Sequence, residues 1–547
     1  MKKNIISITL TFLLLSSTAV HANEFKIFHT EPRGISEIIL DENGNEISNY
    51  KIPVRRAARS ANELPQKYDS RDYGIVTPVK SQGSFGTCWA HSVLSCAESN
   101  MIKKSFEILS VDYSELHLSY FSSKKDPKFM DGNDRTSESY GYFGGGNSRL
   151  AAFCLSNSQG TAPENMFPYS KASSSLDFSI DEGSRYFSNA SLVSYGKTDD
   201  ISAAKKAIME YGSVATAYCD SSMFLNNRKY YYCPTRYATN HAVTIVGWDD
   251  TVSKDSFATS PEGDGAWIVK NSWGTWWGEN GYFYLSYYDK SISGYDFFDM
   301  ENTKSGTKAY TYNGSAATYM LNADFANVFC AEKDGSLSAV SFETSTASGL
   351  TASTYEIEIY NLGKNTPNSP VNSTPACTIN GSVNFDGYHR IKLDTAVELQ
   401  AGDYFSIIVR LRTSSGLNAI QYLEGYSEGS DVTFHSNKGE SFFYSYGTWR
   451  DLSTFSQSGT KFCNSTIKGY VVSPQSRLYA SDNAIYFENI PLGSWLIEAE
   501  YSENKLKSIR RIKTEAENGS YSVSSENTKY MIWSADLTHP LCPAIQR

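Results

Sequence analysis

The sequence predicts an α+β domain built from two subdomains, then an all-β sandwich, then a small C-terminal β module. Three observations carry this. Helical patterns come first, in "CWAHSVLSCAESNMIKK" and "DYSELHLSYF", and short apolar strands such as "HAVTIVGWDD" follow. From about residue 305 the texture changes to alternating strands separated by turns. A chain of 547 residues also exceeds what a single hydrophobic core holds together.

The elements follow in chain order. Residues 1–22 read as a secretory signal: Lys2 and Lys3, an apolar run from Ile5 to Leu15, and small residues at Val20-His21-Ala22. The run is short for a membrane span, and no later stretch of 18 apolar residues occurs. Residues 23–63 form a polar leader in which Arg55, Arg56 and Arg59 precede Pro65, a pattern that fits either a processing site or a plain linker. The α+β domain is expected over 64–304. Its first helix puts Ala90, Val93, Leu94 and Ala97 on one face, its second has Ser114 as N-cap, and "ISAAKKAIMEYG" is a third stopped by Gly212. "GAWIVKNSW" and "GYFYLSYYD" are strands. The sandwich is expected over 305–472, where "TYEIEIYNL" sets Tyr355, Ile357 and Ile359 against Glu356 and Glu358. The last module spans 473–547, with Trp495, Ile497, Ala499 and Tyr501 alternating with polar groups.

Composition narrows the function. A net charge of −10 argues against general nucleic-acid binding, and 20% charged residues describe folded material. There are nine cysteines: Cys88, Cys96, Cys154, Cys219, Cys233, Cys330, Cys377, Cys463 and Cys542. An odd count in an exported chain leaves at least one thiol unpaired within the monomer, which is a candidate nucleophile. A useful nucleophile needs a base. His91 lies three residues after Cys88 on the same helix, so it projects alongside the thiol rather than facing it, and it reads as an ordinary packed or hydrogen-bonded helix histidine. A Cys88–His91 metal pair lacks two further ligands. His241 stands at the start of an apolar strand. Asn271 can take its ring N–H, with Trp273 as a shield from water. Gln82 and the backbone N–H of Cys88 can form an oxyanion hole, and the helix N-terminus favours a thiolate.

"QGSFGTCWA", "NHAVTIVGW" and "KNSWGTWWGENGYF" together resemble the active-site blocks of papain-family cysteine peptidases. Phe85 and Thr87 depart from the usual pattern around the nucleophile. His241 and Asn271 stand 153 and 183 residues after Cys88, both longer than the usual spacing, and an insertion around "DTVSKDSFATSPEGDG" can explain the second. The resemblance implies a papain-like two-subdomain fold with Cys88 as nucleophile, His241 as its partner, Asn271 as orienter and Gln82 as oxyanion donor. It further implies that "GGGNSRL" is a substrate wall, in which Gly145 and Gly146 let a peptide backbone approach. Asn240 and Ala242 would lie near the pocket for the second acyl-side residue. With Phe85 in place of a cysteine the family's usual disulfide there is lost, and Cys219–Cys233 and Cys96–Cys154 are candidate pairs. The leader is far shorter than the family's helical propeptide, so latency would use a smaller segment, such as an extended strand in the cleft.

The sandwich is similar to the lectin-like domain that follows the peptidase in some bacterial surface cysteine peptidases, including enzymes that process surface-layer proteins. "KYMIWSADLTHPLC" resembles the end of a small module of bacterial extracellular proteins. The expectation is a secreted or cell-surface cysteine endopeptidase acting on proteins or peptides, with surface glycans as a further candidate partner and no transmembrane segment after signal removal. No cofactor or catalytic metal is expected, and calcium in the β-sandwich is a candidate raised by the relatives alone. The competing readings are a surface adhesin or carbohydrate-binding protein with an incidental peptidase fold, and an acyl transferase on the same fold.

Overall fold

The computed structural model describes residues 27–29 and 64–547, except 108–110, 124–129, 133–143, 158–159, 173–189, 304–305, 317–318, 346–349, 373, 428–431, 475, 482–483, 491–492, 503–504, 517, 523–526, 536–540, 542–543 and 547. The signal segment, the Arg55–Arg59 stretch and Cys542 therefore lie outside the described residues.

Among the described residues, four α-helices serve the first domain. Helix α1 (Cys88–Lys103) is the central one. A single buried face was expected, but Cys88 to Met101 are buried all round. The reason is position: α1 lies between the helical half and the sheet half, so it has no solvent face to make it amphipathic. Ser92 Oγ fixes it to the sheet by donating to the Val243 carbonyl at 2.7 Å. In α2 (Glu115–Ser123), Ser114 Oγ accepts the His117 N–H at 3.0 Å, as expected of an N-cap. Helix α3 (Ser148–Ser156) was not foreseen; Asn147 caps it, accepting the Leu150 N–H at 2.8 Å. Helix α4 (Ile201–Tyr211) ends at Gly212, whose φ of 101° no larger side chain adopts cheaply.

The sheet half is antiparallel around its central strand. His241–Asp249 is flanked on one edge by Ala266–Lys270 and on the other by Val214–Tyr218 and then Lys67–Asp69. Tyr282–Ser286 extends it beyond Ala266–Lys270. The nine residues of His241–Asp249 are all buried, so they read as a continuous apolar run rather than an alternation.

The sandwich packs two sheets over a core containing Leu337, Val340, Phe342, Ile357, Ile407 and Val409. The outer, six-stranded sheet runs Cys377–Ser382, Thr354–Gly363, Tyr404–Arg412, Phe325–Cys330, Ser441–Ser445 and Thr448–Asp451. Ile357 and Ile359 face the core, while Glu356 and Glu358 turn outward to Arg410. The inner sheet does not stop at the domain edge. Gly387–Leu399 pairs with Ala190–Thr198, which in turn pairs with Tyr295–Asn302, so one sheet crosses from the first domain to the second. The leader strand Ile27–His29 joins this sheet too, antiparallel to Tyr319–Leu321.

In the C-terminal module a three-stranded and a four-stranded sheet enclose Leu478, Ile485, Phe487, Leu496, Tyr530 and Ile532. The register expected for Trp495–Ser502 is corrected here. Leu496 enters this core and Trp495 stays half-buried. Glu498 is buried with it because Tyr530 Oη and Arg510 Nε donate to its carboxylate, at 3.1 and 2.6 Å. The eight described cysteines are thiols, so neither Cys219–Cys233 nor Cys96–Cys154 is bonded. Among the described residues no helix is long and apolar enough to cross a membrane.

Candidate active site

The site forms where the N-terminus of α1 meets the start of the strand His241–Asp249. Cys88 is the first residue of α1 and His241 the first of the strand, and each is 4% exposed. Burial pushes the thiol pKa up, and the N–H groups of Ala242, Trp89 and Cys88 pull it down.

His241 is held through its far nitrogen. Nε2 lies 2.8 Å from Asn271 Oδ1, which also accepts the Ser272 N–H at 2.8 Å. Two donors meeting one oxygen fix the amide orientation. The histidine proton therefore sits on Nε2, and the neutral ring keeps a lone pair on Nδ1. The Trp273 ring stacks on the imidazole at 4.5 Å, covering that hydrogen bond. Burial lowers the His241 pKa to about 4, the Asn271 hydrogen bond opposes this, and His91 adds to it.

Gln82 is placed by backbone and side chain together. Its N–H donates to the Ser272 carbonyl at 2.8 Å, and its Oε1 accepts from Ser272 Oγ at 2.6 Å. Nε2 spends one hydrogen on the Phe85 carbonyl at 2.7 Å, which leaves the second. Gly144 forms a parallel bridge with Gly86, and Gly145 has a φ of 104°. A Cβ on Gly146 would come within 2.4 Å of the Trp89 ring, so only glycine fits there. Ala242 is buried beside Cys88. Asn240 is exposed, and its amide ties down the backbone of Asp220, accepting its N–H at 2.6 Å and donating to its carbonyl at 2.9 Å.

Several residues that hold the site were missed in the sequence. Ser272 is the clearest, since it lies between Asn271 and Trp273. Tyr169 has no signal at all: it accepts from Thr87 Oγ1 at 2.5 Å and donates to the Gln82 carbonyl at 3.0 Å. Behind the site lies a buried charge cluster. Lys80 Nζ reaches Glu98 at 3.0 Å, Glu115 at 2.8 Å and Asp112 at 2.6 Å. Burial opposes its charge, but those carboxylates outweigh burial and raise its pKa. Lys270 Nζ donates to Thr77 Oγ1 and Ser95 Oγ at 3.1 and 3.0 Å, and burial lowers its pKa to about 8. Lys80 and Lys270 sit two and one residues before Gln82 and Asn271, so the cluster anchors both loops. His91 belongs to this cluster. Its Nδ1–H donates to the Thr87 carbonyl at 3.0 Å, Tyr169 meets its ring edge-on at 4.9 Å, and burial lowers its pKa. Among the described residues no three His, Cys, Asp or Glu side chains converge on a metal-sized site.

A buried thiol, an oriented imidazole and a fixed amide donor are the equipment of nucleophilic acyl transfer. The profile of papain family cysteine proteases matches residues 64–296, and that of the lectin like domain matches 294–471. Macrodontain-1 of Ananas macrodontes is 30% identical over 224 residues, 40% of this chain and 87% of its own length. Cathepsin K of Mus musculus is 27% identical over 285 residues, 50% of this chain and 76% of its own. The solved structure of the cysteine protease and lectin-like domains of Cwp84, a surface layer associated protein of Clostridium difficile, matches with a TM-score of 0.64 at 25% identity, covering 78% of this chain and 91% of that one. The clostridial Cwp84 structure after propeptide cleavage matches with the same TM-score at 26% identity, covering 75% of this chain and 99% of that one. The chain thus belongs to the papain family of cysteine proteases, with a lectin-like domain following the protease domain.

Proposed function

We propose that the chain is an exported cysteine endopeptidase acting on proteins at or near a bacterial cell surface. Cys88 attacks the peptide carbonyl, and His241 takes its proton and passes it to the leaving amine. The free hydrogen of Gln82 Nε2, with the Cys88 N–H, stabilises the oxyanion, and water then releases the acyl-enzyme. Asn271 holds the His241 tautomer and Trp273 keeps water from that bond. Gly145 and Gly146 form the acyl-side wall, while Asn240 and Ala242 border the second acyl-side pocket. The observation that carries this is the His241–Asn271 hydrogen bond at 2.8 Å beneath Trp273, because it leaves Nδ1 as the ring nitrogen for the thiol. The likeness to Cwp84 makes surface-layer proteins the first substrates to try. The leader is the segment whose removal would activate the enzyme.

Glycan binding is the second component of this reading. The lectin-like domain is consistent with it, and its outer sheet holds a recess of about 760 Å3 whose lining includes Trp449, Tyr444, Arg410 and Asp324. One variant tests both parts. Cys88→Ala should abolish hydrolysis of unfolded protein and labelling by a thiol-directed epoxide, yet still bind surface glycans. Undiminished hydrolysis by that variant would overturn the peptidase assignment. An active enzyme whose Cys88→Ala form ignores every glycan would overturn the second component.

A further inference from the structure

Helix α3 is held from the other domain. Its N-cap Asn147 follows Gly144–Gly146, and its far end is Ser156 and Asn157. The glycines rest on Gly86, two residues before Cys88, and on Trp89, the residue after it. From the lectin-like domain, Lys468 Nζ donates to Ser156 Oγ and to Asn157 Oδ1, both at 2.7 Å. Tyr470 Oη donates to the Ser156 carbonyl at 2.6 Å. At the first turn, Arg149 donates to Glu343 Oε2 through Nε at 3.1 Å and Nη2 at 2.7 Å, with its guanidinium 3.8 Å from the Tyr422 ring centroid. Lys468 is 1% exposed and Arg149 7%.

The charges match the helix. Lys468 meets the carbonyl end of α3, and Glu343 lies at the N–H end, where it also offsets Arg149. A nine-residue helix does not persist on its own in water, so these contacts, with the packing beneath, decide where α3 sits. Buried charges tolerate little displacement, because a shift leaves one unpaired.

We propose that the lectin-like domain is a working part of the peptidase site. Lys468, Tyr470 and Glu343 hold α3, and α3 holds the Gly144–Gly146 wall against the residues flanking Cys88. They are positioning residues for the acyl side of the substrate. This rests on the reading of Gly145 and Gly146 as substrate wall. A small alkylating agent reaches Cys88 without touching that wall, whereas an extended peptide needs it.

The test uses the full, processed chain with Lys468→Met, and with Arg412→Met as control. Arg412 pairs with Asp324 in the same domain, at 2.5 and 2.9 Å, away from α3. Lys468→Met should raise KM for an extended peptide about tenfold and change the iodoacetamide rate at Cys88 by less than about twofold. Arg412→Met should lower Tm and leave KM alone. The proposal fails if folded Lys468→Met keeps the parent KM, or if Arg412→Met moves KM as much. If Lys468→Met does not fold, Tyr470→Phe removes only the hydroxyl that reaches the Ser156 carbonyl, Tyr388 and Ser341, and an unchanged KM there counts equally against the clamp. If the parent protein hydrolyses no peptide, the peptidase reading fails by itself. Amide exchange over 148–156 then decides the clamp: faster in Lys468→Met supports it, and unchanged overturns it.

Discussion

Ser272 shows how finely one side chain can set this site. Its hydroxyl donates to Gln82 Oε1 at 2.6 Å, so the amide cannot rotate and its spare hydrogen keeps one direction. Ser272→Ala removes that tie and leaves the Gln82 side-chain amide held by the Phe85 carbonyl alone. The contact it aims forms only as the oxyanion develops, so kcat should fall about tenfold with KM little changed. Steady-state kinetics on one peptide check this, and a KM effect without a kcat effect would refute it. His91 makes the contrasting case. Its nearness to Cys88 in sequence was visible, and so was its unsuitable direction. Its purpose was not, because Glu115, Tyr169 and Lys270 come from other elements. The ring is the buried, neutral edge of a charge cluster that steadies the site's loops.

Among the elements, α2 and α4 were legible because each carries a boundary signal, Ser114 and Gly212, and α1 was legible from its apolar positions Ala90, Val93, Leu94 and Ala97. Helix α3 was not. It is short, mostly buried and preceded by three glycines that read as loop, and its fixing partners lie in another domain. The strand His241–Asp249 was legible as an apolar run, but its tight contact with Lys67–Asp69 was not. A Cβ on Gly247 would lie 2.2 Å from the Tyr68 carbonyl oxygen. Gly247→Ala should therefore force those two strands apart and cost about 1–3 kcal/mol, read as a lower denaturant midpoint. An unchanged midpoint would show that the strand Lys67–Asp69 yields freely.

At the scale of the whole molecule, the seam between the domains should lose stability in acid. His389 pairs in register with Ser194 across that seam and stacks between Phe342 and Phe385, at 5.2 and 4.4 Å. Burial lowers its pKa to about 3. The folded value lies below the unfolded one, so unfolding takes up a proton in between. The stability it contributes is complete above about pH 6.5 and drains away as pH falls toward 3, roughly 3 kcal/mol by pH 4. His389→Phe keeps the stack and removes the proton, so its Tm should fall less steeply between pH 6.5 and 4. An identical slope would place the acid sensitivity elsewhere. None of this seam could be read in the sequence, since no local pattern reports a pairing between residues some two hundred positions apart.

The bond from Lys468 to Ser156 closes a loop of 312 residues. Contacts of such long range form late, after the cost of closing the loop has been met. At 5–20 residues per second, a ribosome needs about 15–60 s to travel from one residue to the other. Through that interval the thiol of Cys88 has already been made, while the wall beside it lacks its anchor. The order of the two domains along the chain thus acts as a clock. On the clamp proposed above, the capacity to grip a long peptide arrives only after Lys468 and Tyr470 have been made.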